Sequence, residues 1–390
     1  MNSLMKGVYT MNITDVALSK ATIQTNHLLN NIKAFKNLLA ENTKFMAVVK
    51  ADAYSHGAIP LTREMEAHSA ADYFGVAQLS EALQLREAGI ETPILVFNAV
   101  RPHEIAYAVQ YNVTMTVFTT EMATEIAKVA NELNQKAIVH IKIDSGMARL
   151  GVTTYKEARR IYDILQSSTV HIEGIYTHFA DAKEDSPENY THEQFRRFKE
   201  ILDQFDADGL TFDLRHSCNT AGTINFPDYH LDMVRVGLGL YGLNPSVSQQ
   251  DSIQLTPIQT AETTVTYVKD FPADESVGYG RTYVSTEPMR IATVAIGYAD
   301  GVAKSLSNKG FFTYNGQRVP ILGEVCMDQI MLDVSEVPEI KIGEHVTYFG
   351  DPKDGNIRIT EVAKTAVASQ YDLLCRMGAR VKRVYSVNEG

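Results

Sequence analysis

Lys50 closes the apolar run Phe45-Met46-Ala47-Val48-Val49 and opens a segment of mostly small residues, Ala51-Asp52-Ala53-Tyr54-Ser55-His56-Gly57. The run has the composition and length of a strand, which places a lysine at the end of a buried strand. Burial without a partner disfavours the charged ammonium. The neutral amine is both a base and a nucleophile, and the aldehyde of pyridoxal phosphate is the partner such an amine takes. Taken alone, Lys50 reads equally well as a strand-end lysine that reaches solvent.

Other titratable residues gather at the ends of apolar runs. Lys142, Asp144, Met147 and Arg149 follow Ala137–Ile143, and His178 follows Val170–Thr177. The segment His216-Ser217-Cys218-Asn219-Thr220 follows Thr211–His216, and Arg235, Gly237 and Tyr241 lie in Met233–Tyr241. A single histidine in such a place is usually a hydrogen-bonded loop residue. Five strand ends carrying polar groups are harder to explain that way.

The elements that must position these residues alternate. Apolar runs at Phe45–Lys50, Tyr73–Ala77, Pro93–Phe97, Val113–Phe118, Ala137–Ile143, Val170–Thr177, Thr211–His216 and Met233–Tyr241 read as strands. Between them lie amphipathic stretches. Ser80–Gly89 has a serine cap and a glycine stop, Thr154–Leu165 aligns Ala158, Ile161 and Leu165, and Glu193–Phe205 spaces Phe195, Phe198, Ile201 and Leu202 helically. Eight strands alternating with helices predict an α/β fold, a (β/α)8 TIM-type barrel, whose functional groups sit at the C-terminal strand ends. A doubly wound open sheet is the rival, but no G-x-G-x-x-G opens the first strand–helix turn.

After Gly242 the pattern changes. Asn244–Leu255 is polar and turn-like. Beyond it β-type runs dominate, at Thr263–Val268, Ile291–Ile296, Val319–Leu322, Gln329–Val334 and His345–Phe349, with helical pattern only at Thr360–Ser369. The expected division is a barrel over 1–245 and a mostly β domain over 246–390.

Composition sets the class. Of 390 residues, 45 % are hydrophobic and 21 % charged, as in a globular protein. A net charge of −11 argues against a nucleic-acid or anionic-membrane surface. Cys218, Cys326 and Cys375 are too scattered for a disulfide framework or a metal knuckle, so no metal is expected. No signal-peptide core or 18-residue apolar run is present, and a cytoplasmic location is expected.

At this point the chain resembles the alanine racemase family, from about Val16 to Tyr385. The resemblance rests on the Lys50 run and on six further motifs. These are Lys142-x-Asp144-x-Gly146-Met147-x-Arg149-x-Gly151, Thr177-His178-Phe179-Ala180, Val234-Arg235-x-Gly237-x-x-Leu240-Tyr241-Gly242, Gly278-Tyr279-Gly280-Arg281-Thr282-Tyr283, Gly297-Tyr298-Ala299-Asp300-Gly301 and Gly323-x-Val325-Cys326-Met327-Asp328.

The resemblance implies that Lys50 carries pyridoxal phosphate and acts as the base on one face of the substrate's α-carbon. Tyr279 is then the base on the other face, since one base cannot reach both. Tyr54, Thr220, Gly237 and Leu238, with Asn219 beside them, match positions around the phosphate. Arg235 matches the arginine facing the pyridine nitrogen, where a group that cannot accept the proton leaves that nitrogen unprotonated. His178 would link Arg235 to the tyrosine. Arg149 and Met327 match substrate-carboxylate contacts, and Lys142 matches a lysine that is carbamylated in many members. The family's head-to-tail homodimer would bring Tyr279 and Met327 of one subunit to Lys50 of the other. A role in supplying D-alanine for peptidoglycan precursors would follow.

Departures from the family pattern are Ser55, where a glycine commonly precedes the histidine, Lys183, Lys304 and Ala379. Ser55 is expected to cause only a small local change. The other three leave the entrance charge and the substrate range open, and serine is expected as a second substrate. A broader amino-acid racemase, a decarboxylase of the same fold, a non-catalytic pyridoxal phosphate-binding protein and a coenzyme-free barrel hydrolase remain as alternatives. Arg235 weighs against the decarboxylase, and the β domain weighs against the binding protein.

Overall fold

The computed structural model describes residues 16–167, 169–245 and 253–386. Two compact units emerge. One spans Thr25–Thr256, and the other joins the residues up to Gln24 to those from Pro257 onward. The first strand, β1 (Ser19–Gln24), therefore belongs to the second unit and not to a barrel over 1–245. Its alternating burial fits a strand with one covered face. It pairs antiparallel with the long strand that follows the barrel and parallel with the last strand of the chain.

The Thr25–Thr256 unit contains eight parallel strands: β2 (Lys44–Val48), β3 (Tyr73–Val76), β4 (Ile94–Val96), β5 (Thr114–Val117), β6 (Ala137–Lys142), β7 (Val170–Tyr176), β8 (Leu214–His216) and β9 (Met233–Val236). Each pairs with its neighbour, and β9 returns to β2 with Met46 opposite Arg235. The remaining seam, between β8 and β9, is bridged at 3.0 Å by Asp232 N–H to Arg215 O and by Arg235 N–H to Cys218 O. The Asp232 carboxylate also accepts from the Arg215 backbone N–H at 2.7 Å and from its Nε at 2.8 Å. The strands thus form a TIM-type barrel. Short strands with buried Val, Ile, Leu, Phe and Met favour this arrangement, because both faces of each strand are covered.

Outside the strands, helices at 120–133, 155–165 and 190–207 begin at side-chain caps from Thr119, Thr154 and Asn189. The helix at 79–87 begins one residue before the expected Ser80. Its cap is made by Glu81, whose carboxylate reaches back to the N–H groups of Ala77 and Gln78 at 2.7 and 2.9 Å. The barrel interior packs Met46, Tyr73, Leu95, Tyr176, Leu214 and Met233, with Phe97 against them.

In the second unit, β10 (Gln259–Phe271) is the spine. With β13 (Met289–Val294), β14 (Phe311–Tyr314), β15 (Gln317–Leu322), β16 (Ile330–Asp333) and β17 (His345–Phe349) it closes a ring of antiparallel strands. β10 pairs with β17 along its first half and with β13 along its second, and a register shift between Val265 and Tyr267 bends it between the two. β1 and β18 (Lys382–Ser386) extend the other side, and β11 (Ser276–Val277) and β12 (Tyr283–Val284) form a small hairpin. The mostly β character is as expected. No helix among the described residues is long and apolar enough to cross a membrane.

The barrel's tight interior yields a stability prediction. A Cβ on Gly75 would come within 2.6 Å of the Phe97 ring and 3.0 Å of the Met46 sulfur. Gly75→Ala is expected to destabilise the protein by about 1–3 kcal/mol through overpacking. The urea midpoint should fall at constant slope, and Phe97→Leu in the same chain should recover part of the loss. An unchanged midpoint would show that Phe97 moves aside freely.

Candidate active site

β2 ends at Val48, two residues before Lys50, so Lys50 opens the next element rather than ending the strand. That element is unusual. Ala51, Asp52, Ala53 and Tyr54 all have φ near +53° and ψ between +43° and +50°, and Ser55 has φ +65°. This is a turn of left-handed helix built from non-glycine residues, each at roughly 1–2 kcal/mol. Ser55 is strained where a glycine would not be, so its effect is on local backbone energy.

Several contacts hold the turn. Ala53 N–H donates to Val49 O at 2.8 Å and Gly57 N–H to Asp52 O at 2.9 Å. Glu81, already capping its own helix, accepts Ala51 N–H at 2.5 Å, and the Asp52 carboxylate accepts Ala58 N–H at 2.7 Å. Tyr54 and His56 are buried against Tyr241, whose ring stacks on His56 at 4.5 Å and whose hydroxyl donates to Val48 O at 2.9 Å. Strain stored in this way commonly marks a functional segment.

On the neighbouring strand ends, Asn219 caps the short helix 220–225 by accepting Gly222 N–H at 3.0 Å. Thr220 Oγ1 accepts Gly237 N–H at 2.9 Å. A Cβ on Gly237 would lie 2.7 Å from the Tyr54 hydroxyl. Gly237 therefore leaves room for two hydroxyls, from Tyr54 and Thr220, beside the backbone that continues into Leu238. Hydroxyls and backbone amides gathered at one strand end in this way suit the phosphate of a coenzyme.

Arg235 lies inside the barrel, 3 % exposed. Its Nη1 donates to His216 Nδ1 at 2.8 Å. Its Nη2 donates to Thr177 O at 2.8 Å and Ser217 O at 2.9 Å, with His178 Nδ1 at 3.4 Å. Burial lowers its pKa to about 10, so it stays a cation at neutrality. These bonds leave its Nε–H uncommitted, a donor suited to an unprotonated ring nitrogen. Burial, followed by the charges of Arg235, Lys142, Arg149 and Lys50, pushes the His178 imidazole well below its usual range. The Tyr176 ring stacks on His216 at 4.6 Å, with Lys142 Nζ at 4.8 Å and the Arg235 guanidinium at 5.2 Å from its centre.

Lys142 is 6 % exposed, and its Nζ donates to Ile143 O at 2.9 Å. Burial, and then Arg235 nearby, hold its amine far below the usual lysine range. An amine held so low loses its proton more readily than an ordinary lysine, and its neutral form reacts with electrophiles, carbon dioxide included. The loop beyond it is built on Asp144, whose carboxylate accepts the N–H groups of Gly146, Ala148 and Arg149 at 2.9–3.1 Å, and the Arg149 side chain is exposed.

The barrel unit thus brings together Lys50, Tyr54, Lys142, His178, Asn219, Thr220, Arg235, Gly237 and Leu238 at strand ends, with Arg149 on the loop after β6. Tyr279 and Met327 lie in the second unit. Tyr279 tips the β11–β12 hairpin between Gly278 and Gly280, both at positive φ, and is 71 % exposed. Met327 is 52 % exposed on a loop packed on Gly297, where a Cβ would strike Met327 O at 2.2 Å. Lys304 pairs with Glu324 at 3.2 Å. Sequence reasoning missed Glu81 as the clamp on the Lys50 turn. It also missed His140 and Glu173, although a histidine and a glutamate inside apolar strands were the available signal.

Two protein-family models match the chain: the alanine racemase N-terminal domain over residues 23–245 and the alanine racemase C-terminal domain over 258–385. Alanine racemase 1 of Oceanobacillus iheyensis is 41 % identical over 376 residues, covering 96 % of this chain and all of that protein. Among solved structures, the alanine racemase of Clostridium difficile 630 superposes with a TM-score of 0.92 at 34 % identity, covering 96 % of this chain and 97 % of that one. That of Bartonella henselae, which has covalently bound pyridoxal phosphate, gives 0.84 at 27 %, covering 95 % and 100 %.

The Lys142 environment makes a pH prediction. The folded-state pKa lies below that of the unfolded chain, so between the two values the unfolded chain holds the extra proton and stability rises with pH. The cleanest window is about pH 7–8.5, above the imidazoles and below the range where burial of the Cys218 thiol, raised to about 12, opposes it. Stability should rise there by up to about 1.4 kcal/mol per pH unit. Lys142→Met should flatten the rise and be the more stable protein at pH 7. Bicarbonate, by carbamylating the amine, should flatten it in the unaltered protein. An equal slope in Lys142→Met would place the titration elsewhere.

Proposed function

Because the chain belongs to the alanine racemase family, we propose that it interconverts L-alanine and D-alanine with pyridoxal phosphate held at Lys50, in a homodimer with shared sites. The single observation that carries this reading is the buried Arg235, bonded to His216 inside the same barrel whose strand ends set the Tyr54 and Thr220 hydroxyls against Gly237. A decarboxylase of this fold would need a carboxylate where Arg235 stands. The coenzyme fits the residues present. Lys50 would hold its aldehyde carbon, Tyr54, Thr220 and the backbone of Gly237 and Leu238 its phosphate, with Asn219 fixing the start of helix 220–225, and Arg235 its ring nitrogen.

When bound, pyridoxal phosphate supplies an electron-withdrawing ring that lowers the barrier to removal of the α-proton. The chain's own groups do the rest. Lys50 Nζ takes or returns the proton on one face, and the phenol oxygen of Tyr279 of the partner subunit does so on the other. His178 accepts at Nδ1 from Arg235, which leaves Nε2–H to donate, and in this reading it donates to that phenol oxygen. This eases formation of the phenolate without a charged imidazole. Arg235, a cation that cannot take up a further proton, would face the ring nitrogen without protonating it, so the bound group would supply a weaker electron sink, which disfavours side reactions. Arg149 and the Met327 amide of the partner subunit receive the substrate carboxylate. A carbamate on Lys142 would give Arg149 an anionic neighbour and fix its orientation, which the bicarbonate titration of Lys142 tests.

Complementation tests the shared site. Lys50→Ala and Tyr279→Phe should each abolish racemisation of L-alanine followed by circular dichroism. Mixed, dissociated and reassociated one to one, the two inactive proteins should regain about a quarter of full activity, because half the dimers then hold one intact site of two. No regain, with heterodimers shown to form, would mean that both groups act within one chain. Serine in the same assay reads the effect of the entrance changes at Lys183 and Lys304, and no turnover of serine beside turnover of alanine would rule out the broader range.

A further inference from the structure

The Arg235 guanidinium is the end of a longer chain of hydrogen bonds inside the barrel. His216 accepts from it at Nδ1, and His216 Nε2 lies 2.9 Å from His140 Nδ1. His140 Nε2 lies 2.8 Å from Glu173 Oε2, and the same oxygen accepts the Tyr73 hydroxyl at 2.6 Å. Tyr73 in turn meets the Thr114 hydroxyl at 2.8 Å. Both histidines are fully buried, and the Glu173 side chain is 19 % exposed. The register between β6 and β7 shifts after Val139: Val139 pairs with Ile172 and His140 with Gly174, so Glu173 is the extra residue on β7 beside His140.

Proton positions along this chain are not free. An ionised carboxylate only accepts, so His140 must carry its proton on Nε2. His140 Nδ1 is then a bare lone pair, which requires the proton of His216 on Nε2. His216 Nδ1 is bare in turn and can accept from Arg235. If either ring took the other tautomer, two N–H groups would face each other in a place water does not reach. Burial alone would raise the Glu173 carboxyl, but the hydrogen bonds from His140 and Tyr73 hold it near 2, and burial keeps both imidazoles below their usual range. The arrangement is therefore one anion, two neutral rings and one cation. The room for it is specific, since a Cβ on Gly174 would meet the His140 ring at 2.7 Å.

We propose that Glu173 is a positioning residue for Arg235: through His140 and His216 it dictates which ring nitrogens carry protons, and so presents the guanidinium with an acceptor that fixes its plane. Its value for the reaction rests on the reading that Arg235 faces the coenzyme ring nitrogen. The tautomers themselves do not depend on that reading.

The test is nitrogen NMR of protein labelled in its histidine rings, first without coenzyme and then loaded with pyridoxal phosphate. Both His140 and His216 should show a protonated Nε2 and a bare Nδ1 in each state. A His216 ring protonated on Nδ1, or on both nitrogens, overturns the proposal, and this measurement needs no variant to fold. Glu173→Met keeps the bulk but removes the acceptor. It should show mixed tautomers, release pyridoxal phosphate about tenfold faster and lower kcat about tenfold with little change in KM. Glu173→Asp should restore the tautomer pattern in part. Unchanged tautomers and coenzyme release in Glu173→Met overturn the proposal. Failure of the racemase reading would appear differently, as no turnover of alanine by the unaltered protein whose rings show the predicted tautomers.

Discussion

A guanidinium that stays charged inside a barrel must find acceptors for its N–H groups, and much of the barrel unit follows from that demand. Two acceptors are main-chain carbonyls, Thr177 O and Ser217 O, which lie just past the ends of β7 and β8. They are available because parallel strands in a barrel stop at one level and leave their last carbonyls unpaired. The others are imidazoles, His216 at 2.8 Å and His178 at 3.4 Å, and each accepts only in the right tautomer. Removing an ion's partner in such a place typically costs more than the pair gains, so the surrounding residues are fixed less by stability than by the need to leave no donor facing a donor. The backbone N–H of Arg235 also helps close the β8–β9 seam, so the buried cation is itself part of the barrel's closure.

The lysine end of the site uses a different device. Five consecutive non-glycine residues in left-handed geometry are paid for by short hydrogen bonds and by burial of Tyr54 and His56. Each hydrogen bond contributes about 1 kcal/mol net, comparable with the strain of one such residue. The geometry therefore persists only because Glu81, Asp52, Val49 and Tyr241 act together. The turn brings the Tyr54 hydroxyl back over Gly237, four residues after Lys50, a return that a right-handed turn or an extended loop from β2 would not give.

Much of this was legible in the sequence. The eight strands were visible because each is a short apolar run bounded by turn residues, and the polar strand ends stood out against that background. The left-handed turn was not visible. Such geometry is normally signalled by glycine or asparagine, and Ala51, Ala53 and Tyr54 carry no such mark. Membership of β1 in the second unit was hidden because its partners lie more than two hundred residues away, and pairing at that distance leaves no local trace. His140 and Glu173 were passed over because each alone is an ordinary polar residue in a strand. Their meaning comes from the inward face they share, which only the register between β6 and β7 defines. The Ser80 cap failed because Glu81 has two duties, and the stronger set of hydrogen bonds moved the helix start.

The two halves of the proposed chemistry differ in how they are prepared. The barrel side is preorganised: Arg235, His216 and Thr220 are buried and hydrogen-bonded in place. Tyr279 is the opposite, a largely exposed phenol at a hairpin tip held by two glycines at positive φ. Its own hairpin offers it an Arg281 whose guanidinium is turned to Ser276, with Nε donating to that hydroxyl at 3.0 Å. The imidazole of His178 and the cation of Arg235 are carried by the barrel unit instead. In the proposed shared site, the groups that would make Tyr279 a base come from the partner's barrel and not from the chain segment that bears it.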